Sequence, residues 1–147
     1  MKIYMDVCCY NRPYDDQSQI RISLETEAKL YIQELVVCDK VKLVQSFVLK
    51  FENSNNPFEA RRNAINRFIK TRSSEFVSKN SEIYEIANRV NQTGVKPKDS
   101  LHIACAIFSK CDYFISTDDR VLKYKDERIK IVDPIEFIKE WEAANDD

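Results

Sequence analysis

Apolar positions along this chain follow two rhythms, short continuous runs and repeats spaced three and four residues apart, and the two alternate from one end to the other. Residues 2–5 read as a first strand, ending at Asp6. Arg12-Pro13 and Asp15-Asp16 then mark a loop, and Ser18 stands where a helix cap belongs. From there to about residue 38, Leu24, Ala28, Tyr31, Ile32 and Leu35 recur at helical spacing, with Glu25, Lys29, Gln33 and Glu34 on the polar side. Residues 41–49 read as a second strand leading into a short helix that reaches Glu52.

After a turn-rich break at 53–57, the spacing predicts a helix from 58 to about 72 with Ala60, Ala64, Ile65, Phe68 and Ile69 on one face. Ser73-Ser74 interrupts, and a helix over 81 to about 92 ends at Gly94. A loop at 96–98 precedes a strongly apolar helix starting at Lys98 or Asp99. Residues 113–116 and 129–132 read as strands, with a turn or short helix at 118–123 between them. Pro134 heads a last helix ending at Trp141, and the tail at 145–147 is expected to fray. Strands alternating with helices, and no Asn-Gly hairpin signal, predict an α/β fold with helices on both faces of a mainly parallel sheet.

A length of 147 residues suits one domain, 1–147. The net charge of -1 neither announces nor excludes a nucleic-acid partner, because a local basic patch can face an acidic site. No run resembling a signal peptide opens the chain, and no segment is apolar enough to span a membrane, so the expected location is the cytoplasm. The five cysteines include no C-x-x-C pair, which argues against zinc-ribbon and thioredoxin-like sites and for reduced thiols packed as small hydrophobes. A single glycine, Gly94, excludes Walker and dinucleotide-binding loops. A single histidine, His102, excludes paired-histidine ribonuclease chemistry and histidine-rich zinc sites. Carboxylates, hydroxyls and a metal remain for chemistry.

Four carboxylates fall where strands give way to turns or helices: Asp6, Glu52, Asp99 and Asp118. In a parallel sheet such positions converge on one crevice at the carboxyl ends of the strands. A crevice lined by acids suits hard divalent cations, which points to metal-dependent phosphodiester cleavage. Each acid has a plainer reading alone. Asp99 can be a helix cap, Glu52 a polar residue leaving the strand, and Asp118 with Asp119 a turn.

Together the motifs resemble a family. Lys2-Ile3-Tyr4-Met5-Asp6 resembles the opening of PIN-domain nucleases, the class that includes VapC-type toxins. The run from Ser46 to Glu52 is similar to their serine-to-glutamate stretch. Asp99-Ser100-Leu101-His102-Ile103-Ala104-Cys105-Ala106 resembles their D-x-x-H-x-A-x-A helix start, and the run from Cys111 to Asp118 resembles their strand ending in [ST]-x-D. Ser116 as the motif hydroxyl assigns the last acid to Asp118, the preferred register, whereas Thr117 would assign it to Asp119.

The resemblance implies a three-layer α/β/α PIN-like fold and an endoribonuclease. Mg²⁺ or Mn²⁺ would be held by Asp6, Asp99 and Asp118, with Glu52 nearby and Glu25 as its less favoured substitute. Ser116 or Thr117 would orient a carboxylate or water, and Asn11 would contact the same edge. It implies a toxin that dimerises and is held by an antitoxin across its active-site groove. An RNA-processing nuclease without an antitoxin and an inactive binding module are the alternatives. His102 reads as a packed, hydrogen-bonded histidine rather than a general base.

RNA, single-stranded for access to its phosphates and unstacked bases, would meet cations on Arg61, Arg62, Arg67, Lys70 and Arg72, or those residues form a solvated face. Arg12 is expected to pair with Asp15 or Asp16 in preference to phosphate.

Overall fold

Ile3, Tyr4 and Met5 are all fully buried, with Tyr4 packing on one side of the sheet and Ile3 and Met5 on the other. A strand covered on both faces needs such an unbroken apolar run. In the computed structural model, which describes residues 1–145, this strand is β1 (Lys2–Met5). The others are β2 (Lys42–Ser46), β3 (Ser73–Val77), β4 (Tyr113–Ile115) and β5 (Lys130–Val132). They form one five-stranded sheet in the order β3-β2-β1-β4-β5, every pairing parallel. The helices are α1 (Val7–Asn11), α2 (Ile20–Val37), α3 (Phe47–Ser54), α4 (Glu59–Arg72), α5 (Ser81–Gln92), α6 (Pro97–Phe108), α7 (Asp119–Leu122) and α8 (Pro134–Asn145).

One face of the sheet, through Tyr4, Val44, Phe114 and Ile131, packs on α5, α6 and α7. The other, through Ile3, Met5, Leu43, Tyr113 and Ile115, packs on α1, α2, α4 and α8. Helix α3 joins both clusters, giving Val48 to one and Leu49 to the other. The expected three-layer α/β/α architecture is present. Because β1 is central and the chain builds outward on both sides of it, the topological switch lies between β1 and β4, where such sheets open a crevice.

Several local expectations are corrected. Ser73-Ser74 is not an interruption but the start of β3, an edge strand burying only Val77, whose polar composition left no strand signal. The second strand stops at Ser46, whose hydroxyl accepts from the Leu49 amide at 3.1 Å, so Phe47-Val48-Leu49 is the first turn of α3. Asp6 opens a helix, α1, instead of a loop. Ser18 does not cap α2; it bonds Asp16 at 2.7 Å, and the helix begins at Ile20. Helix α6 begins at Pro97, which suits a first helical position, so Asp99 is its third residue and not its cap. Of the α4 face, Ile65 and Ile69 are buried and Ala60 and Ala64 are exposed. Cys9, Cys105 and Cys111 pack in the core, Cys8 is half-buried and Cys38 is exposed; all are free thiols. Helix α8 runs past Trp141 to Asn145, and the rest of the expected frayed tail lies outside the described residues.

Helix α2 is turned relative to its hydrophobic pattern. Leu24 and Tyr31 are exposed, whereas Glu25 and Lys29 are buried. Lys29 hydrogen-bonds Gln33 and lies 5.6 Å from the centre of the Tyr10 ring. Burial pushes its amine down from 10.5 to about 8. Below about 8 the folded chain holds a buried charge at full cost. As pH rises from about 8 toward 10.5 the folded state sheds that proton before the unfolded state does, and stability rises. Lys29→Met is therefore expected to stabilise the protein by about 1–2 kcal/mol at neutral pH. Urea melts should show that advantage shrinking on the alkaline side, and equal stability at neutral pH would contradict it.

Candidate metal centre

Each acid reaches the crevice through its position relative to a strand end or helix start. Asp6 follows β1 directly, is 5% exposed, and caps α1 by accepting from the Val7 amide at 2.8 Å. Its other oxygen accepts from the Ser116 hydroxyl at 3.0 Å. Ser116 follows β4, the neighbouring strand, and also accepts from the Asp118 amide at 3.1 Å. One buried hydroxyl thus ties Asp6 to the turn carrying Asp118. Asp118 caps α7 by accepting from the Arg120 amide at 2.9 Å. Thr117 is buried beside it, and its amide points to Cys8 Sγ at 3.4 Å.

Glu52 lies on α3 and hydrogen-bonds His102 Nε2 from α6. His102 is fully buried, and its Nδ1 is 2.6 Å from the Tyr4 hydroxyl, which is 2.6 Å from Ser46 Oγ. With a neutral imidazole these groups form one donor sequence: Ser46 donates to Tyr4, Tyr4 to Nδ1, and Nε2–H to Glu52. Burial pushes the Tyr4 phenol well above its ordinary range, so it keeps its proton. The packed, hydrogen-bonded histidine expected from sequence is what the fold contains. Tyr4 and Ser46, the other members of this sequence, were not expected to carry a role, because a tyrosine in an apolar strand looks like core.

Asp99 sits one helical turn before His102. Its carboxyl is pushed above the ordinary value, first by burial and then by the charges of Asp6 and Asp118, with Glu52 adding and His102 opposing. The four acids therefore share one electrostatic site. Asp6, Glu52 and His102 each offer a ligand atom within 4.8 Å of the others, and among the described residues neither Asp99 nor Asp118 belongs to so tight a group. Both ring nitrogens of His102 are already engaged, whereas each carboxylate oxygen keeps a further lone pair with which to ligate a cation. An oxygen-rich donor set with mutually repelling charges fits Mg²⁺ or Mn²⁺.

The secondary candidates have other partners. Asp119 makes a two-point ion pair with Arg21, at 2.6 and 2.9 Å, which holds its carboxyl below the usual range. Arg21 also meets Glu25 at 3.4 Å, and Glu25 lies 3.3 Å from Arg12. Arg12 pairs with Asp15 at 3.0 Å, as expected. Asn11 bonds the Val7 carbonyl and Asn56. Arg21 escaped notice in the sequence because it stands on a helix between apolar residues with no motif around it.

Of the α4 cations, Arg61 stacks over Phe58 at 3.9 Å and Arg62 donates to the Asn56 carbonyl at 2.9 Å, while Arg67 and Lys70 are exposed. A different basic group borders Asp99. The cavity beside it is lined by Lys96, Arg120, Lys123 and Lys125.

The fold is shared with solved structures. One is FitAcB from Neisseria gonorrhoeae, at a TM-score of 0.57 and 12% identity over 90% of this chain and 98% of that one. Another is VapBC2 from Rickettsia felis bound to a DNA fragment from their promoter, at a TM-score of 0.54 and 11% identity over 89% of this chain and 97% of that one. No protein-family model matches the sequence, and no curated protein matches it. Among the described residues no helix is long and apolar enough to cross a membrane.

Proposed function

We propose that this protein is a metal-dependent endoribonuclease of the PIN-domain kind, acting as the toxin of a toxin–antitoxin pair. The observation that carries the reading is the convergence of acids at the carboxyl edge of the sheet. Asp6 and Glu52 offer ligand atoms within 4.8 Å of each other, Ser116 ties Asp6 to the Asp118 turn, and Asp99 is raised by burial and by the charges of Asp6 and Asp118. Such a cluster is destabilising unless a cation neutralises it. Asp6, Asp99 and Asp118 would hold Mg²⁺ or Mn²⁺, with Glu52 completing the set. When bound, the ion supplies Lewis acidity toward water and phosphate.

The chain's own groups do the rest. Ser116 fixes the direction of Asp6, and His102 fixes that of Glu52. Lys96, Arg120, Lys123 and Lys125 offset the repulsion between the acids and an incoming phosphate backbone. The motif resemblance to VapC-type toxins and the fold shared with VapBC2 support the toxin assignment and a protein antitoxin. A homodimer and a cytoplasmic setting belong to the same proposal on the motif resemblance alone.

The test is cleavage of a labelled, mixed-sequence single-stranded RNA by purified protein with Mg²⁺, with Mn²⁺ and with chelator, beside thermal melts in the same buffers. Cutting confined to the metal lanes is expected, with metal stabilising the fold by about 2.7 kcal/mol at a hundred times its dissociation constant. Equal cutting in chelator would sink the metal role. Neither cutting nor metal stabilisation would mean an inactive binding module.

A further inference from the structure

A second groove is built partly from the helices that carry Glu52 and Asp99, and its chemistry differs. It is a cavity of about 710 Å³ with an apolar floor built from the aromatic rings of Phe47, Phe51, Phe76 and Tyr84. Phe51, Phe76 and Tyr84 are 62%, 46% and 46% exposed. Phe47 and Tyr84 lie 6.2 Å apart and tilted by 42°, so their faces do not close on each other. Lys50, Lys79 and Lys98 line the same groove, with Lys79 Nζ 6.0 Å from the centre of the Phe47 ring. Among the described residues no carboxylate lines it, in a chain whose acids outnumber its lysines and arginines, 24 to 23.

Open aromatic faces among unopposed cations match bases and phosphates together. Bases stack on the rings whatever their sequence, and the lysines meet the backbone. A second copy of the chain fits poorly, because a two-fold interface would set the three lysines against the same three lysines. The groove adjoins the acidic centre along the chain. Phe51 precedes Glu52 on α3, and Lys98 precedes Asp99 on α6.

We infer that this aromatic–lysine groove holds single-stranded RNA beside the scissile phosphate, an inference that rests on the nuclease reading and names where its substrate lies. Phe51, Phe76 and Tyr84 stack bases, and Lys50, Lys79 and Lys98 bind the adjoining phosphates. Paired bases cannot open their faces to the rings, so duplex RNA is disfavoured.

The test measures binding apart from cleavage. Fluorescence anisotropy of a labelled oligouridylate is followed with the Asp99→Asn protein in chelator. Adding Phe51→Ala together with Phe76→Ala is expected to weaken binding about five-fold to a hundred-fold, the span that loss of base stacking gives. Phe51 is 62% and Phe76 46% exposed, so an unchanged melting temperature should confirm that the fold is intact.

Replacing Lys50, Lys79 and Lys98 by Gln is expected to lower the slope of log affinity against log salt by about 0.7 per lysine. Unchanged affinity in the aromatic variant, or an unchanged salt slope in the lysine variant, would overturn the inference. So would a switch from dimer to monomer in the aromatic variant with RNA affinity intact, which would give the face to a second copy. Groove-dependent binding by a wild-type protein that cuts nothing would uphold the groove while sinking the nuclease reading.

Discussion

Asp99→Asn is expected to lower metal-dependent RNA cleavage about a thousand-fold, the effect of losing ~4 kcal/mol of transition-state stabilisation. The same change should make the metal-free protein more stable. In the folded chain the Asp99 carboxyl is raised by burial and by Asp6 and Asp118, so folding favours its protonated form. That contribution is present below the ordinary aspartate value of 3.8 and is lost as pH rises through the raised one. At neutral pH the ionised group therefore costs stability, and a neutral asparagine of nearly the same shape removes the cost.

In chelator at neutral pH the variant should melt about 2 °C or more above the wild type, with the gap closing below the ordinary carboxylate range. In Mn²⁺ the order should reverse, because the wild type gains an ion that the variant binds weakly. A variant that cuts normally, or that melts below the wild type without metal, would remove Asp99 from the centre.

What was legible in the sequence followed from how each residue meets solvent. β1 and β4 are buried on both faces, so they appear as unbroken apolar runs, and the acids after them mark the strand ends. β3 is an edge strand in which Ser73, Ser74 and Glu75 outnumber the apolar residues, so no periodicity announced it. Its loss from the sequence reading hid Phe76, and with it the aromatic groove. Helix α2 misled in the opposite way. Glu25 and Lys29 are buried because Arg12 and the Tyr10 ring, from the segment before the helix, close over them alongside Arg21 and Gln33 one turn away. That earlier segment leaves no trace in the helix's own pattern.

The candidate centre was legible as a set of acids but not as a geometry. Spacing placed Asp6, Glu52, Asp99 and Asp118 at plausible edges. It did not reveal that Ser116 would bridge Asp6 to the Asp118 turn. Nor could it separate Asp118 from Asp119. The two are adjacent in sequence, but Arg21 draws Asp119 outward to an exposed pair, while Asp118 remains within reach of Asp99.

His102→Leu is the other substitution expected to have a large effect, and it acts without removing any acid. Leucine fills much of the buried space but leaves Glu52 without its donor and Tyr4 without its acceptor. At roughly 1–3 kcal/mol for each stranded group, the loss should be about 2–5 kcal/mol of stability. Cleavage should fall about 10–100-fold, the usual effect of losing a group that orients a metal-site carboxylate.

Tyr4→Phe should produce a weaker version of both effects, since Glu52 keeps its imidazole. The two losses should not add in the double variant, because they break one hydrogen-bonded sequence. A double-mutant cycle by urea melts measures that coupling. Strict additivity would mean that His102 and Tyr4 act as separate core residues, and unchanged cleavage in His102→Leu would mean that Glu52 needs no support from α6.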